Sequence, residues 1–173
     1  MLDEARLGRF MSGLAESATG PGRVYLAGGA SAVLLNIRSQ TIDVDIKLDP
    51  EPAGAFEAIA HLKEDLSINV ELAAPDQFLP ALPQWQDRSE FIVRHRQVDF
   101  YHYDFYSQAL SKILRGHRFD LDDARALVSL GKVLPGRLLE LFDQIKPDLI
   151  RYPAIDPGEF ERRLTDFVEG QND

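Results

Sequence analysis

The chain has no cysteine, which excludes disulfides, zinc ribbons and thiol catalysis. It has no apolar run long enough to cross a bilayer. Its charged, amphipathic start, Met1-Leu2-Asp3-Glu4-Ala5-Arg6, does not resemble a signal peptide. The expectation is a soluble, cytoplasmic protein with no membrane partner. Basic side chains are outnumbered, 19 against 28 acidic ones, for a net charge of −9. Long-range steering therefore disfavours extended contact with nucleic acid. The four histidines, His61, His95, His102 and His117, lack metal-ligand spacing and read as structural or surface groups. There is no Rossmann Gly-x-Gly-x-x-Gly, no Walker Gly-Lys-Ser/Thr and no Gly-x-Ser-x-Gly elbow. What remains is an ordinary globular composition, 45% hydrophobic and 27% charged, over 173 residues. That length suits one domain with room for a small helical appendage.

The acid excess is uneven: residues 1–105 carry 9 basic and 16 acidic side chains. An acidic first part suits a cation. If a polyanion docks, residues 106–173 and the Arg94-His95-Arg96 cluster are the favoured surfaces.

Hydrophobic spacing predicts a helix over 2–17, stopped by Thr19-Gly20-Pro21-Gly22. A short strand over 24–27 runs into Gly28-Gly29 and a helix over 30–37. Residues 41–48 alternate, with Ile42, Val44, Ile46 and Leu48 facing the core and Asp43, Asp45 and Lys47 facing away. A helix over 53–65, a strand over 67–72, a proline-bearing ordered loop over 76–89 and strands over 91–96 and 98–104 follow. Trp85 reads as a packing anchor of the loop. Phe100, Tyr101, Tyr103, Phe105 and Tyr106 read as core or cross-strand aromatics rather than a base-stacking platform. Helices are predicted near 106–116, 120–130, 135–146 and 157–169. The order gives an α+β fold, a mixed sheet flanked by helices: a core over 1–105 with a helical portion over 106–173 packed on it.

Three features carry chemistry. Gly28 and Gly29 between a strand and a helix permit a tight turn and close backbone approach, and the helix start offers N–H groups to an anion. Asp43 and Asp45, two apart on a strand, point to one face; their mutual repulsion is relieved by a cation, and a hard divalent ion prefers oxygen donors. Glu71, in Asn69-Val70-Glu71-Leu72, is the candidate third carboxylate, with Asp99 as its rival. Arg38 precedes the acid strand and either touches phosphate or solvates a loop. Lys112 and Arg115 share a helix face and either meet phosphate or pair with Asp120, Asp122 or Asp123.

This ordered set resembles the DNA polymerase β-like nucleotidyltransferase superfamily, and within it bacterial minimal and abortive-infection toxin-like proteins. The motifs span about residues 24–48 and 107–124, the latter including Gln108-Ala109-Leu110-Ser111-Lys112-Ile113-Leu114-Arg115-Gly116-His117-Arg118. The resemblance implies transfer of a nucleoside monophosphate from an NTP to an RNA (tRNA among them), protein or small-molecule acceptor. It also implies a place in a toxin–antitoxin or phage-defence pair, with an antitoxin partner. Asp43, Asp45 and Glu71 would be catalytic and hold Mg²⁺ or Mn²⁺. Gly28, Gly29, Ser31, Arg38, Lys112, Arg115 and Asp120 would bind or orient the nucleotide. The third acid departs from the pattern as a glutamate 26 residues after Asp45. The alternative is a non-catalytic nucleotide- or partner-binding module on the same fold.

Overall fold

Leu7, Phe10, Met11, Leu14 and Ala15 form one buried stripe, and Glu4–Ser17 coils as α1 to lay that stripe on a sheet. Asp3 starts the helix by accepting the Arg6 N–H at 2.9 Å. The structure, a computed structural model, describes residues 1–171. It is an α+β fold that divides into two compact units, Met1–Ala74 with Ser89–Tyr103, and Pro75–Arg88 with the chain from Asp104 onward. The segment 75–88 thus belongs with the helices rather than with the sheet.

The first unit is built on five strands, β1 (Gly22–Ala27), β2 (Asp43–Leu48), β3 (Asn69–Glu71), β4 (Glu90–His95) and β5 (Val98–His102), in the order β3-β2-β1-β5-β4. β1 runs antiparallel to β2 and parallel to β5, β2 pairs parallel with β3, and β4 pairs antiparallel with β5. Val24, Leu26, Val44, Ile46, Val70, Val98 and Phe100 all point to one face. There they form a core with α1 and with Ala55, Ala58 and Ile59 of α3 (Ala55–Asp65). The opposite face carries Asp43, Asp45, Lys47, Asn69, Glu71 and Asp99 and is where the candidate site lies.

Ile42 departs from the predicted alternation and is 70% exposed. The strand begins one residue later, because Thr41 turns away to pair with Leu2, its N–H and C=O bonding the Leu2 backbone at 2.8 and 2.7 Å. A partner 39 positions earlier in the chain overrides the local period.

The second unit has a short helix α4 (Trp85–Arg88), then α5 (Phe105–Arg115), α6 (Arg118–Ser129), α7 (Pro135–Ile145) and α8 (Pro157–Gln171). Its core includes Leu110, Ile113, Leu138, Leu141, Leu164 and the Phe142–Phe160 pair, whose ring centroids lie 5.1 Å apart edge to face. Trp85 is buried. Asp104 starts α5: it accepts the Tyr106 and Ser107 N–H groups and the Ser107 hydroxyl, and takes a two-pronged ion pair from Arg88. Among the described residues no helix is long and apolar enough to cross a membrane.

Candidate functional site

Strand alternation sends Asp43, Asp45 and Lys47 of β2 to the face opposite the core. The parallel register sets Asn69 beside Asp43 and Glu71 beside Asp45. Asp43, Asp45 and Glu71 therefore share one face of two neighbouring strands, half-buried at Asp43 and Asp45 and exposed at Glu71. Asp99 is on the same face but elsewhere. It stands level with Arg23 on β1, whereas Asp45 stands level with Ala27, four residues and about 13 Å further along the strand. Glu71 is the third acid that the sheet brings to the pair.

Asn69 links these acids. Its amide nitrogen donates to Asp43 Oδ1 and to Glu71 Oε1, both at 2.8 Å. The amide supplies positive hydrogen-bonding density between two like charges, which lowers the cost of holding them together. Among the described residues no three or more His, Asp or Glu side chains are drawn together closely enough to hold a metal ion. Asn69 sits between two of the carboxylates. An Asn69→Asp variant puts a further carboxylate there. It is expected to lose on the order of 1–2 kcal/mol from the two lost charge-assisted bonds. Thermal melts at low ionic strength test this, and added Mg²⁺ should raise the variant's Tm more than that of the parent protein.

The Gly-Gly turn meets the same acids. β1 pairs Ala27 with Asp45, and the chain then turns at Gly28, at φ +58°, straight into α2 (Gly28–Leu34). A Cβ at Gly28 would lie 2.7 Å from Asp45 Oδ2, so the carboxylate leans over bare backbone that a side chain would block. A Cβ at Gly29 would collide with the Thr41 hydroxyl, which itself donates to the Asp43 carbonyl at 3.1 Å. Gly28, Gly29, Thr41, Asp43 and Asp45 thus form one contiguous group. Thr41 and Asn69 were not legible as site residues, because their role depends on neighbours from other strands.

Ser31 lies inside the fold. It is 1% exposed, and its hydroxyl is hydrogen-bonded to His102 Nδ1 at 2.7 Å. His102 sits on the core side of β5, level with Leu26. Arg38 is half-buried and lines a shallow groove with Asp3, Glu4, Asn36 and Ser39.

Lys112, Arg115 and Asp120 belong to the second unit. Lys112 Nζ pairs with Asp123 Oδ2 at 2.9 Å, both largely buried, and Arg115 Nε lies 3.3 Å from Asp120 Oδ2. The bases stand in the last turn of α5 and Asp120 in the first turn of α6. Each helix end thereby receives the charge its dipole favours. These pairs close the α5–α6 hairpin across Gly116, whose φ is +71°.

Charge on the sheet face changes sign along the strands. Near the β4–β5 turn, Arg23 lies over the Tyr101 ring at 5.6 Å. A hydrogen bond with Tyr25 holds its guanidinium above the usual arginine pKa, while burial pushes the Tyr25 phenol up. The chain matches no family model, no curated protein and no solved structure.

Proposed function

We propose that this chain is a metal-dependent nucleotidyltransferase, moving a nucleoside monophosphate from an NTP to an acceptor. The observation that supports the reading most is the placement of Asp43, Asp45 and Glu71 on adjoining strands beside the Gly28 turn. The donor chemistry, three carboxylates at a solvent-accessible face, fits a hard cation such as Mg²⁺ or Mn²⁺. Asp43, Asp45 and Glu71 would hold it. The bound ion would stabilise the attacking and leaving oxygens of an in-line displacement. The chain's own contribution is positional. β2 and β3 hold the acids at fixed spacing, and Asn69 would rotate from between Asp43 and Glu71 to admit the cation. The bare backbone at Gly28 would leave room for a phosphate held through the cation beside Asp45, whereas Thr41 fills the corresponding space at Gly29. A role in a bacterial toxin–antitoxin or phage-defence pair rests on the sequence resemblance alone.

A second reading has its own observation. Asn69 already bridges Asp43 and Glu71, as it would in a module that binds a nucleotide or a partner without transfer. Thermal stability with each of the four NTPs, with and without Mg²⁺, tests the first reading. A nucleotide at 100 times its Kd adds about 2.7 kcal/mol. For a chain of this size that is a Tm rise of roughly 5–10 °C. The rise is expected to need Mg²⁺ and to vanish in Asp45→Asn. A nucleotide shift without Mg²⁺ that survives Asp45→Asn supports the module, and no shift with any NTP rejects nucleotide binding altogether.

A further inference from the structure

β4 is an edge strand, and it carries a bulge. Phe91 pairs with Tyr101 and Val93 with Phe100, so Ile92 is an extra residue. Without it Phe91 and Arg94 would point to opposite faces. With it both reach the polar face of the sheet. The Phe91 ring meets the Tyr101 ring edge to face at 5.7 Å, and Arg94 Nε lies 3.5 Å from Asp99 Oδ1. On the other face His95 contacts Phe100.

The result is a basic and aromatic patch on an acidic protein. Tyr101 stacks on Tyr25, with centroids 5.3 Å apart and planes 26° from parallel, and Arg23 lies over the same ring. Phe91 is 54% exposed, and Arg23, Arg94 and Arg96 are exposed. Arg23 and Arg94 flank Asp99 on this face, and Arg96 is exposed in the turn between β4 and β5, a local excess of basic groups in a chain of net charge −9. Packing alone does not call for a half-exposed phenylalanine at the edge of an ordered aromatic row. The Tyr25–Tyr101–Phe91 set is already ordered, so a planar ligand stacking on it immobilises little protein.

We propose that this patch binds a single-stranded nucleic acid, with a base stacking on exposed Phe91, which Tyr101 backs, and phosphates pairing with Arg23, Arg94 and Arg96. The register sets a row of rings, Tyr25-Tyr101-Phe91, beside a row that holds Arg23 and Arg94, which suits a base next to its own phosphate. Addition of a protein strand to the β4 edge fits less well, since the bulge and the flanking arginines blunt that edge. Binding here requires neither an NTP nor a metal ion, so it stands apart from the transfer reaction.

The test is fluorescence anisotropy of the full chain with labelled 12-nucleotide oligouridine and oligothymidine, at low salt and without metal or NTP. The expected Kd is about 10⁻⁴–10⁻⁶ M at physiological salt and tighter at low salt. For pairing with three phosphates, the slope of log K against log[salt] is expected near −2, at roughly −0.7 per phosphate of a single strand. Phe91→Ala and Arg94→Glu, each checked for an unchanged melt, should weaken binding at least about fivefold. Lys63→Glu on the exposed surface of α3 should leave it within about twofold, because the patch rather than net charge does the binding. Failure of both oligonucleotides to bind below about 1 mM, or equal binding by Phe91→Ala and Arg94→Glu, overturns the proposal. So does Arg94-dependent binding of polyglutamate in their place, which would assign the patch to an acidic protein.

Discussion

Replacing Asp104 with alanine is expected to destabilise the second unit by about 3 kcal/mol, the lower end for breaking a buried ion pair. Asp104 is 1% exposed and accepts from Arg88 Nε at 3.1 Å, Arg88 Nη2 at 2.8 Å and the Ser107 hydroxyl at 2.7 Å. It also caps α5 through the Tyr106 and Ser107 N–H groups. The alanine therefore removes an N-cap, worth about 1 kcal/mol by itself, and strands a guanidinium. Arg88 is 20% exposed and regains some water, which keeps the loss from the top of the range. A Tm drop of roughly 6–12 °C is expected. Asp104→Asn, which keeps acceptor capacity for the cap, should lose less. Combining Asp104→Ala with Arg88→Met should cost less than the sum of the single changes, because the methionine leaves no charge behind. Additive losses would show that the pair is not coupled.

If the proposed transfer reaction is this chain's, Asp45→Asn and Asp43→Asn are expected to lower it by about 10³-fold or more while leaving the fold intact. A carboxamide keeps the shape of the side chain but presents one neutral oxygen and two N–H donors where a hard cation wants anionic oxygen. Loss of several kcal/mol of charge stabilisation in the transition state corresponds to that rate change. Stability should move the other way or not at all, since Asp45 faces Glu71 across the β2–β3 register and neutralising it relieves repulsion. Asp99→Asn, at the Arg23 end of the sheet, should retain transfer. Incorporation of label from each NTP, read beside a melt of each variant, checks the whole set. Transfer that survives Asp45→Asn would exclude these acids from the reaction, and a stability loss there would mean that the carboxylate serves the fold instead.

The α+β class and the order of elements were legible because they rest on local period. The stripe Leu7-Phe10-Met11-Leu14 reads as a helix in any context, and Val44-Asp45-Ile46-Lys47 reads as a strand with one polar face. The same reasoning failed at Ile42, whose exposure depends on Thr41 pairing with distant Leu2. Among the candidate site residues, Asp43 and Asp45 could be assigned to one face from their spacing. The choice of Glu71 over Asp99 as their neighbour needed the strand order β3-β2-β1-β5, which no local pattern contains.

Side-chain partnerships were the least legible. Pairing of Lys112 and Arg115 with the acids of α6 was one of two readings the spacing left open, and the turn of α6 back on α5 at Gly116 selects it. Ser31 is turned inward by a histidine 71 residues away, and Asn69 lies between two carboxylates from different strands. Phe91 and Arg94 share a face only because Ile92 bulges. Local spacing set most of the elements and their faces, the Gly-Gly turn and the acid pair, all of which depend on residues within a turn or two of one another; the short helix α4, inside the stretch expected as a loop over 76–89, was not among them. Tertiary structure alone decided which acid joins the pair, which bases are neutralised and which aromatics stay exposed. Those outcomes depend on strand order and register, which long-range burial selects and short-range spacing does not encode.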